Sequence, residues 1–390
     1  MNTNPVIVCI AKFESDYIEE FVRYHLAIGF KRIFIYDNED VPTYNRLLEQ
    51  YNSFINVIHL PYNNYNKGVQ FIALDHFIAN FMHKDNITHV AHIDIDEFIV
   101  LKQHKNISDF INEYIVDNCA GIGMNWRFFG SSNRIEKTNE PLTLRFTMCE
   151  ISGNSHNHIK TLFKIDTFIK YCSPHDVIVK NGYHIKSTNG SIITGPHNPN
   201  IDFNIIQLNH YKCKTLPEFR YTRSRGDASI NGEKFIKDND TTFNAYNINE
   251  IEEITAKKFY TNFLLLFDWQ FYLDTYPDLR QNGVHSEQQA FQHWITCGKM
   301  EGRQSSIFDW QFYLDTYPDL RQNGVHSEHQ AFQHWITCGK MEGRQSSIFD
   351  WQFYLDKYPD LRQNGVHTAE QSIEHWIVFG KMEGRMTCKL

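Results

Sequence analysis

The sequence predicts an α/β layered domain with a mostly parallel sheet, followed by an all-α repeat domain, and three observations carry that reading. Residues 5–126 alternate strand-length apolar runs with helix-length amphipathic ones, the order that builds βαβ units. Residues 267–385 repeat with a period of 41, from Asp268 to Asp309 to Asp350. Hydrophobic residues make up 42% of the 390, enough for ordinary globular cores. The boundary falls between 1–262 and 263–390, the latter holding copies at 267–307, 308–348 and 349–385.

Val6–Ala11 reads as a buried strand, and Ser15 as the cap of a helix running through Gly29 with Ile18, Phe21, Val22 and Leu26 on one side. Arg32–Asp37, Val57–Leu60 and His89–Asp94 are the next strands, with helices at Tyr44–Tyr51 and Gly68–Lys84 between them. Beyond Ala120–Trp126 the pattern turns mixed and loop-rich up to about Thr215. Pro217–Arg225 is helical again, and the polar run 237–249 reads as loop.

The second repeat differs from the first only in His329 for Gln288, and the third diverges further. In each, a first helix around Trp269–Tyr276 should stop at Pro277, because the residue before proline disfavours the helical region. Asp278–Gly283 should turn the chain. Ser286 (Thr368 in the third copy) should cap a second helix through Trp294, ended by Gly298. Phe291, Trp294 and Ile295 then face Trp269, Tyr272 and Leu273. One such unit cannot bury that face alone, so stacking explains three copies and leaves self-association through the repeats open.

A net charge of −8 without a basic run excludes a nucleic-acid footprint. The opening MNTNPVIVCIAKFE lacks the basic start and long apolar stretch of a leader or anchor, so no membrane span and a cytoplasmic protein are expected. Eight cysteines without a CxxC pair read as free thiols of a reducing compartment. Abundant Asn, Ile, Lys, Tyr and Phe with little Ala point to an AT-rich genome, which would make a host cell's cytoplasm the site if the source is a virus.

The strongest chemical signal is His89-Val-Ala-His-Ile-Asp94-Ile-Asp96-Glu97, an apolar strand ending in acids. Ligand sites of open α/β sheets lie at such strand ends. Two carboxylates one residue apart reach a hard cation, Mn²⁺ or Mg²⁺, which bridges a diphosphate and neutralises a leaving group. A solvated strand end gives the same pattern. Asp37-Asn38 closes strand two and serves either a base or ribose edge or a simple turn. His210, in Leu208-Asn209-His210-Tyr211-Lys212, offers a neutral imidazole, and Arg223 or Arg225 could clamp phosphate.

In order along the chain come Lys12–Glu14, Glu19-Glu20-Phe21-Val22-Arg23-Tyr24-His25, Ile35-Tyr36-Asp37-Asn38 and His92–Phe98. Trp126–Ser132, Asn209-His210-Tyr211, Glu218-Phe219 and Arg225-Gly226 follow. This set resembles glycosyltransferase family 92 and its family-2-like relatives over roughly residues 5–230. The resemblance implies a GT-A (Rossmann-like) fold, a nucleotide-diphosphate sugar donor, UDP-linked and often galactose, and inversion at the anomeric carbon. It implies Asp96 as main metal ligand, Asp94 on ribose or metal, and His210 completing the metal site. Asp37 would lie near the base, Lys12, Glu14 and Gln70 near the nucleotide, and Arg225 near the diphosphate. The acceptor is then a glycan or protein-linked sugar. Asp176, Glu150 and Asp227 remain candidates for the general base, which must reach the acceptor hydroxyl. The segment Ser155–Lys160 and His175 match the family's basic segment loosely.

The repeats resemble units appended to some bacterial and viral glycosyltransferases, and the tryptophan-preceding His293, His334 and His375 read as packing residues. Two other classes compete. A hydrolase using Asp94 as nucleophile wants Thr or Val where Phe98 stands. An inactive scaffold or glycan-binding protein would act through its repeats.

Overall fold

The computed structural model describes residues 3–61, 68–104, 106–225 and 239–267 of the chain. Within the repeats it describes 269, 272–273, 276–298, 301, 303, 310–326, 330–331, 334–339, 342, 344, 351–368, 371–372, 375–376, 383 and 385. The chain divides into two compact units, Met1–Thr261 and Asn262–Leu390.

In the first unit the order is β1 (Pro5–Ala11), α1 (Ile18–Ala27), β2 (Arg32–Asp37), α2 (Tyr44–Leu47), β3 (Ile55–His59), α3 (Val69–Asn80), β4 (His89–His92) and β5 (Glu97–Leu101). There follow α4 (Ile107–Tyr114), β6 (Cys119–Phe128), α5 (Leu142–Arg145), β7 (Met148–Cys149), β8 (Ile159–Lys164), β9 (Phe168–Tyr171) and β10 (Val177–Val179). The unit closes with β11 (His184–Lys186), β12 (Ile192–Ile193), β13 (Ile206–His210), α6 (Leu216–Arg223), α7 (Asn239–Tyr246) and β14 (Ile251–Glu252), and α8 (Thr255–Leu266) crosses the division at Thr261.

The main sheet has ten strands, with the path β12-β11-β6-β8-β4-β1-β2-β3 and β13 joining β5 to β6. The parallel expectation holds for β1 to β4 and again for β6 with β11 and β13. β3, β2, β1 and β4 run parallel, whereas β8 is antiparallel to both β4 and β6, and β5 to β13. The sheet is mixed. A parallel return is usually made by a crossover helix packed on the sheet, and the one α-helix between β6 and β8 is the four-residue α5.

The helix α3 lays Ala73, Leu74 and Phe77 on Val6, Val8, Phe34 and Val90. On α1, Phe21 and Tyr24 meet Phe98 of β5 edge-on at 5.9 and 5.1 Å. Between them His25 is fully buried, its Nδ1–H donating to the Phe21 carbonyl at 2.8 Å while Nε2 accepts from the Ile99 amide at 3.3 Å. Burial pushes this imidazole down to about 3, so it sits neutral in that tautomer. Tyr24 and His25 therefore fasten helix to sheet.

Three elements depart from expectation. No side chain caps α1; instead the Tyr17 and Ile18 amides bond the Glu14 carbonyl, and Ser15 plays no capping part. The polar run expected as loop contains α7, whose Phe243 packs on Phe219 and Cys213. In the repeats, the expected turn at Asp278 is a short helix, Pro277–Gln281, because proline is favoured at a helix's first position.

The capping prediction at Ser286 fits: its hydroxyl accepts from the Gln289 amide, and Gln289 reaches back to the Ser286 amide. The repeat motif also acquires a physical reading. Asp278 of Tyr-Pro-Asp pairs with Arg303 of Glu-Gly-Arg at 2.9 Å, and that guanidinium lies 4.8 Å over Tyr276. The other copies make the same contact, Asp319 with Arg344 and Asp360 with Arg385. Tyr313, Leu314, Leu320 and Ala331 form the second copy's core, bordered by Trp310 and Trp335. The side chain of Ile295 lies outside the described residues.

Candidate active site

The acids at the end of β4 and the histidine at the end of β13 are far apart in the chain and adjacent in space. The sheet register does this: β13 runs between β5 and β6, placing His210 opposite Glu97 on one side and Phe128 on the other. A further backbone bond, Tyr211 N–H to the Asp96 carbonyl at 2.9 Å, ties the strand to the acid turn.

Asp96 is buried, with Lys214 Nζ 3.4 Å from one carboxylate oxygen and His210 Nε2 3.6 Å from the other. Burial alone would raise its pKa; the neighbouring groups, Lys214 foremost with His210 and Arg225, together outweigh that and hold the carboxyl well below the usual range. Burial pushes His210 down to about 3 against the opposing pull of Asp96, so its imidazole is neutral. Its Nδ1 is buried without a hydrogen-bond partner in the structure.

Asp94 is turned elsewhere. Lys160 Nζ donates to one oxygen and Gln70 Nε2 to the other, each at 3.1 Å. Burial raises this carboxyl, and Lys160 together with His92 and His210 more than compensates, leaving it below the ordinary value. Lys160 is itself buried and lies 3.8 Å from Glu97, which accepts from the Asp94 amide at 2.9 Å. Asp94, Asp96 and His210 do not gather as three donors within 4.8 Å of one another. Asp96 and His210 are the close pair.

A second group joins this one. Arg225 pairs with buried Glu14 and donates to the Lys12 carbonyl at 2.5 Å. Burial raises the Glu14 carboxyl against the pull of Arg225, while Glu14, Asp96 and Asp94 all stabilise the guanidinium charge. The Lys12 ammonium points to Asp40 at 3.3 Å. Asp37 is fully buried, its carboxylate accepting from the Glu39, Thr43 and Tyr44 amides at 3.1, 2.7 and 3.0 Å. It shapes the turn into α2.

Of the base candidates, Asp176 bonds the Ser173 hydroxyl inside the β9–β10 turn. Glu150 lies 3.4 Å from the fully buried His156 and folds over Gly153, where a Cβ would meet its carboxylate. Asp227 lies outside the described residues.

The sequence carried no stated role for four features here. Lys214 sits beside Asp96 in a left-handed conformation (φ 53°); its signal was the alternation His210, Lys212, Lys214. Trp126 and Phe128 flank His210 with ring centres at 4.5 and 4.9 Å, and His158 stacks on Trp126 at 4.9 Å. Glu218 bonds Arg145 in a buried ion pair at 2.9 Å, accepts from the Tyr17 hydroxyl at 2.7 Å and closes the capping box of α6. Glu20 accepts from the Leu142 and Thr143 amides at the start of α5. These motif acids are clamps.

Residues 4–259 match the model of glycosyltransferase family 92. The chain belongs to that family. A glycosyltransferase family 92 protein of Oryza sativa subsp. japonica is 23% identical over 214 residues, 53% of this chain and 33% of its own length, so the chain spans about a third of that relative. Core-mannan synthase A of Aspergillus fumigatus, in its Mn/GDP form, aligns over 34% of this chain and 45% of its own at 7% identity, TM-score 0.21. HddC of Yersinia pseudotuberculosis aligns over 42% of this chain and 77% of its own at 10% identity, TM-score 0.23. This family 92 chain has no helix among its described residues long and apolar enough to cross a membrane.

Proposed function

We propose that this chain transfers a sugar from a nucleotide-diphosphate donor, a UDP-sugar such as UDP-galactose, to a glycan or protein-linked hydroxyl with inversion. The observation that carries the reading is the Asp96–His210 pair at the strand ends. A separation of 3.6 Å is too long for a hydrogen bond and suits two donors on one ion. A carboxylate and a neutral imidazole fit Mn²⁺ or Mg²⁺ whose other ligands are substrate oxygens and water. Asp96 and His210 would hold that ion, with Asp94 at ribose or at the ion's edge. When bound, it supplies positive charge against the diphosphate as the sugar–oxygen bond breaks.

Arg225, oriented by Glu14, and Lys214 place two more cations where that charge grows, an arrangement that acts without reorganisation during reaction. Gln70 and Lys160 fix Asp94, and Asp37 and Lys12 border the nucleotide side. Trp126 and Phe128, both buried, pack against His210 and fix its ring. Asp176, Glu150 or Asp227 takes the acceptor proton as the hydroxyl oxygen attacks the anomeric carbon opposite the leaving group. The chemistry belongs to residues 1–262, and the repeats in 263–390 take no part in it.

A panel of nucleotide sugars, scored for donor hydrolysis and thermal shift with and without Mn²⁺, tests the reading. One donor turned over only with metal is the expected result. A folded chain that binds none of them overturns it.

A further inference from the structure

In the first repeat the second helix (Glu287–His293) passes into a wide π-helical turn, Trp294–Gly298, and the second repeat carries the same turn at Trp335–Gly339. Such turns hold more residues per revolution than an α-helix and recur at functional sites. Here the turn falls between His293 and Glu301 in the chain. Around it lies a mixed donor set: one donor atom each from His293, Cys297 and Glu301 lies within 4.8 Å of the others, and His334, Cys338 and Glu342 repeat the arrangement.

Each outer donor is held from behind. The Tyr272 hydroxyl meets His293 Nδ1 at 2.8 Å and Tyr313 meets His334 at 2.9 Å. Gly298 and Gly339 make room for those hydroxyls, since a Cβ at either would stand 2.0 or 2.1 Å from the tyrosine oxygen. Arg303 and Arg344 donate to Glu301 and Glu342 at 2.6 Å. Partners of this kind, fixing the ring and the carboxylate, are what metal ligands ordinarily carry. Cys297 is half-buried and Cys338 exposed, both free thiols within reach of an ion from solvent.

The third copy is an internal control. It keeps Tyr354 on His375 at 3.0 Å and Arg385 on Glu383, yet its sequence has Phe379 where the others have cysteine. The tyrosine and arginine contacts thus serve the fold without a thiol. The cysteine is what the first two copies add.

We propose that each of the first two repeats binds one zinc-class divalent cation through its His–Cys–Glu set, with a solvent molecule as fourth ligand, and that the third does not. Nitrogen, thiolate and carboxylate donors together favour Zn²⁺ over Mg²⁺ or Mn²⁺. Bonds of about 2.0–2.3 Å need donors roughly 3.4–3.7 Å apart, a small closure through side-chain rotation. On binding, the cysteine sulfur gives up its proton to buffer and the thiolate bonds the ion, with no change of oxidation state.

The test is titration of the reduced full-length chain with Co²⁺, followed by sulfur-to-cobalt charge-transfer absorbance, and displacement by Zn²⁺. A band saturating at two ions per chain and erased by Zn²⁺ is expected. Cys297→Ser and Cys338→Ser should each halve it and the double variant abolish it, with circular dichroism unchanged. No band in the wild-type chain, a one-site band, or a band that survives the double variant overturns the proposal.

Discussion

The strand-end site and the repeat clusters gather similar donors by opposite means. Asp96 and His210 meet because β13 is threaded between β5 and β6, so every ligand distance there depends on the register of the mixed sheet. His293, Cys297 and Glu301 meet within one short stretch of chain, at the end of a helix, in its π turn and just past it. The strand-end site is also saturated with cations, Lys214 on Asp96 and Lys160 on Asp94, which suits binding an anion together with an ion. The repeat cluster has one arginine on its carboxylate and a thiol in its middle. A site assembled by topology should therefore fail with the sheet's register as well as with its own side chains, whereas a local one should fail only with its own side chains.

The largest expected effect separates the two at once. Asp96→Asn keeps the shape and removes the charge, and should lower donor turnover on the order of 10³-fold while leaving the chain folded. Turnover near wild-type would remove Asp96 from the chemistry. The repeats' cobalt signal should not change in that variant.

Next comes the clamp that supports the strand-end site. Glu218→Ala leaves Arg145 buried without its partner and opens the capping box of α6, which should cost about 3–5 kcal/mol. Thermal melting followed by circular dichroism measures it. A melting point within a degree of wild-type would mean that water replaces the pair.

A smaller effect follows from pH. His25 and His92 are both buried and pushed by burial to about 3. The unfolded chain takes up these protons near pH 6.5 and the folded chain does not until about 3. Stability therefore falls as pH is lowered through that window, by up to about 1.4 kcal/mol per pH unit for each ring. His25→Asn should make the slope shallower by one proton between pH 6 and 4, whatever its effect at neutral pH. An unchanged slope would show that the ring titrates alike in both states.

How much of this was legible follows the same division. The strands β1 to β4, the helix α3 and the Ser286 cap follow from periodicity and local hydrogen bonding, which a sequence carries openly. The antiparallel return of β8 does not, because strand direction depends on what the intervening loop can span. At the site, Asp94, Asp96 and His210 were readable as a motif set. That Asp94 turns to Lys160 and Gln70 was not, since burial of Lys160 is decided by the whole sheet. Asp37 carried both readings, turn and ligand, and its three backbone bonds account for the turn. In the repeats the spacing His-x₃-Cys-x₃-Glu lay in plain view. It drifts off one face of an ideal α-helix, and the π turn that interrupts the helix between His293 and Glu301 is not announced by the sequence.

The smallest expected effect is also the one that isolates local construction from sequence context. Phe379→Cys restores to the third copy the single donor it lacks, beside a His375 and Glu383 already held by Tyr354 and Arg385. If ligand placement is a property of the 41-residue unit, the cobalt band should grow by one further site's worth and saturate at three ions. If the third copy's other changes, Val378 for Thr296 among them, alter the turn, the added thiol will contribute no band. The unit's geometry, rather than its donor list, would then be what selects the ion.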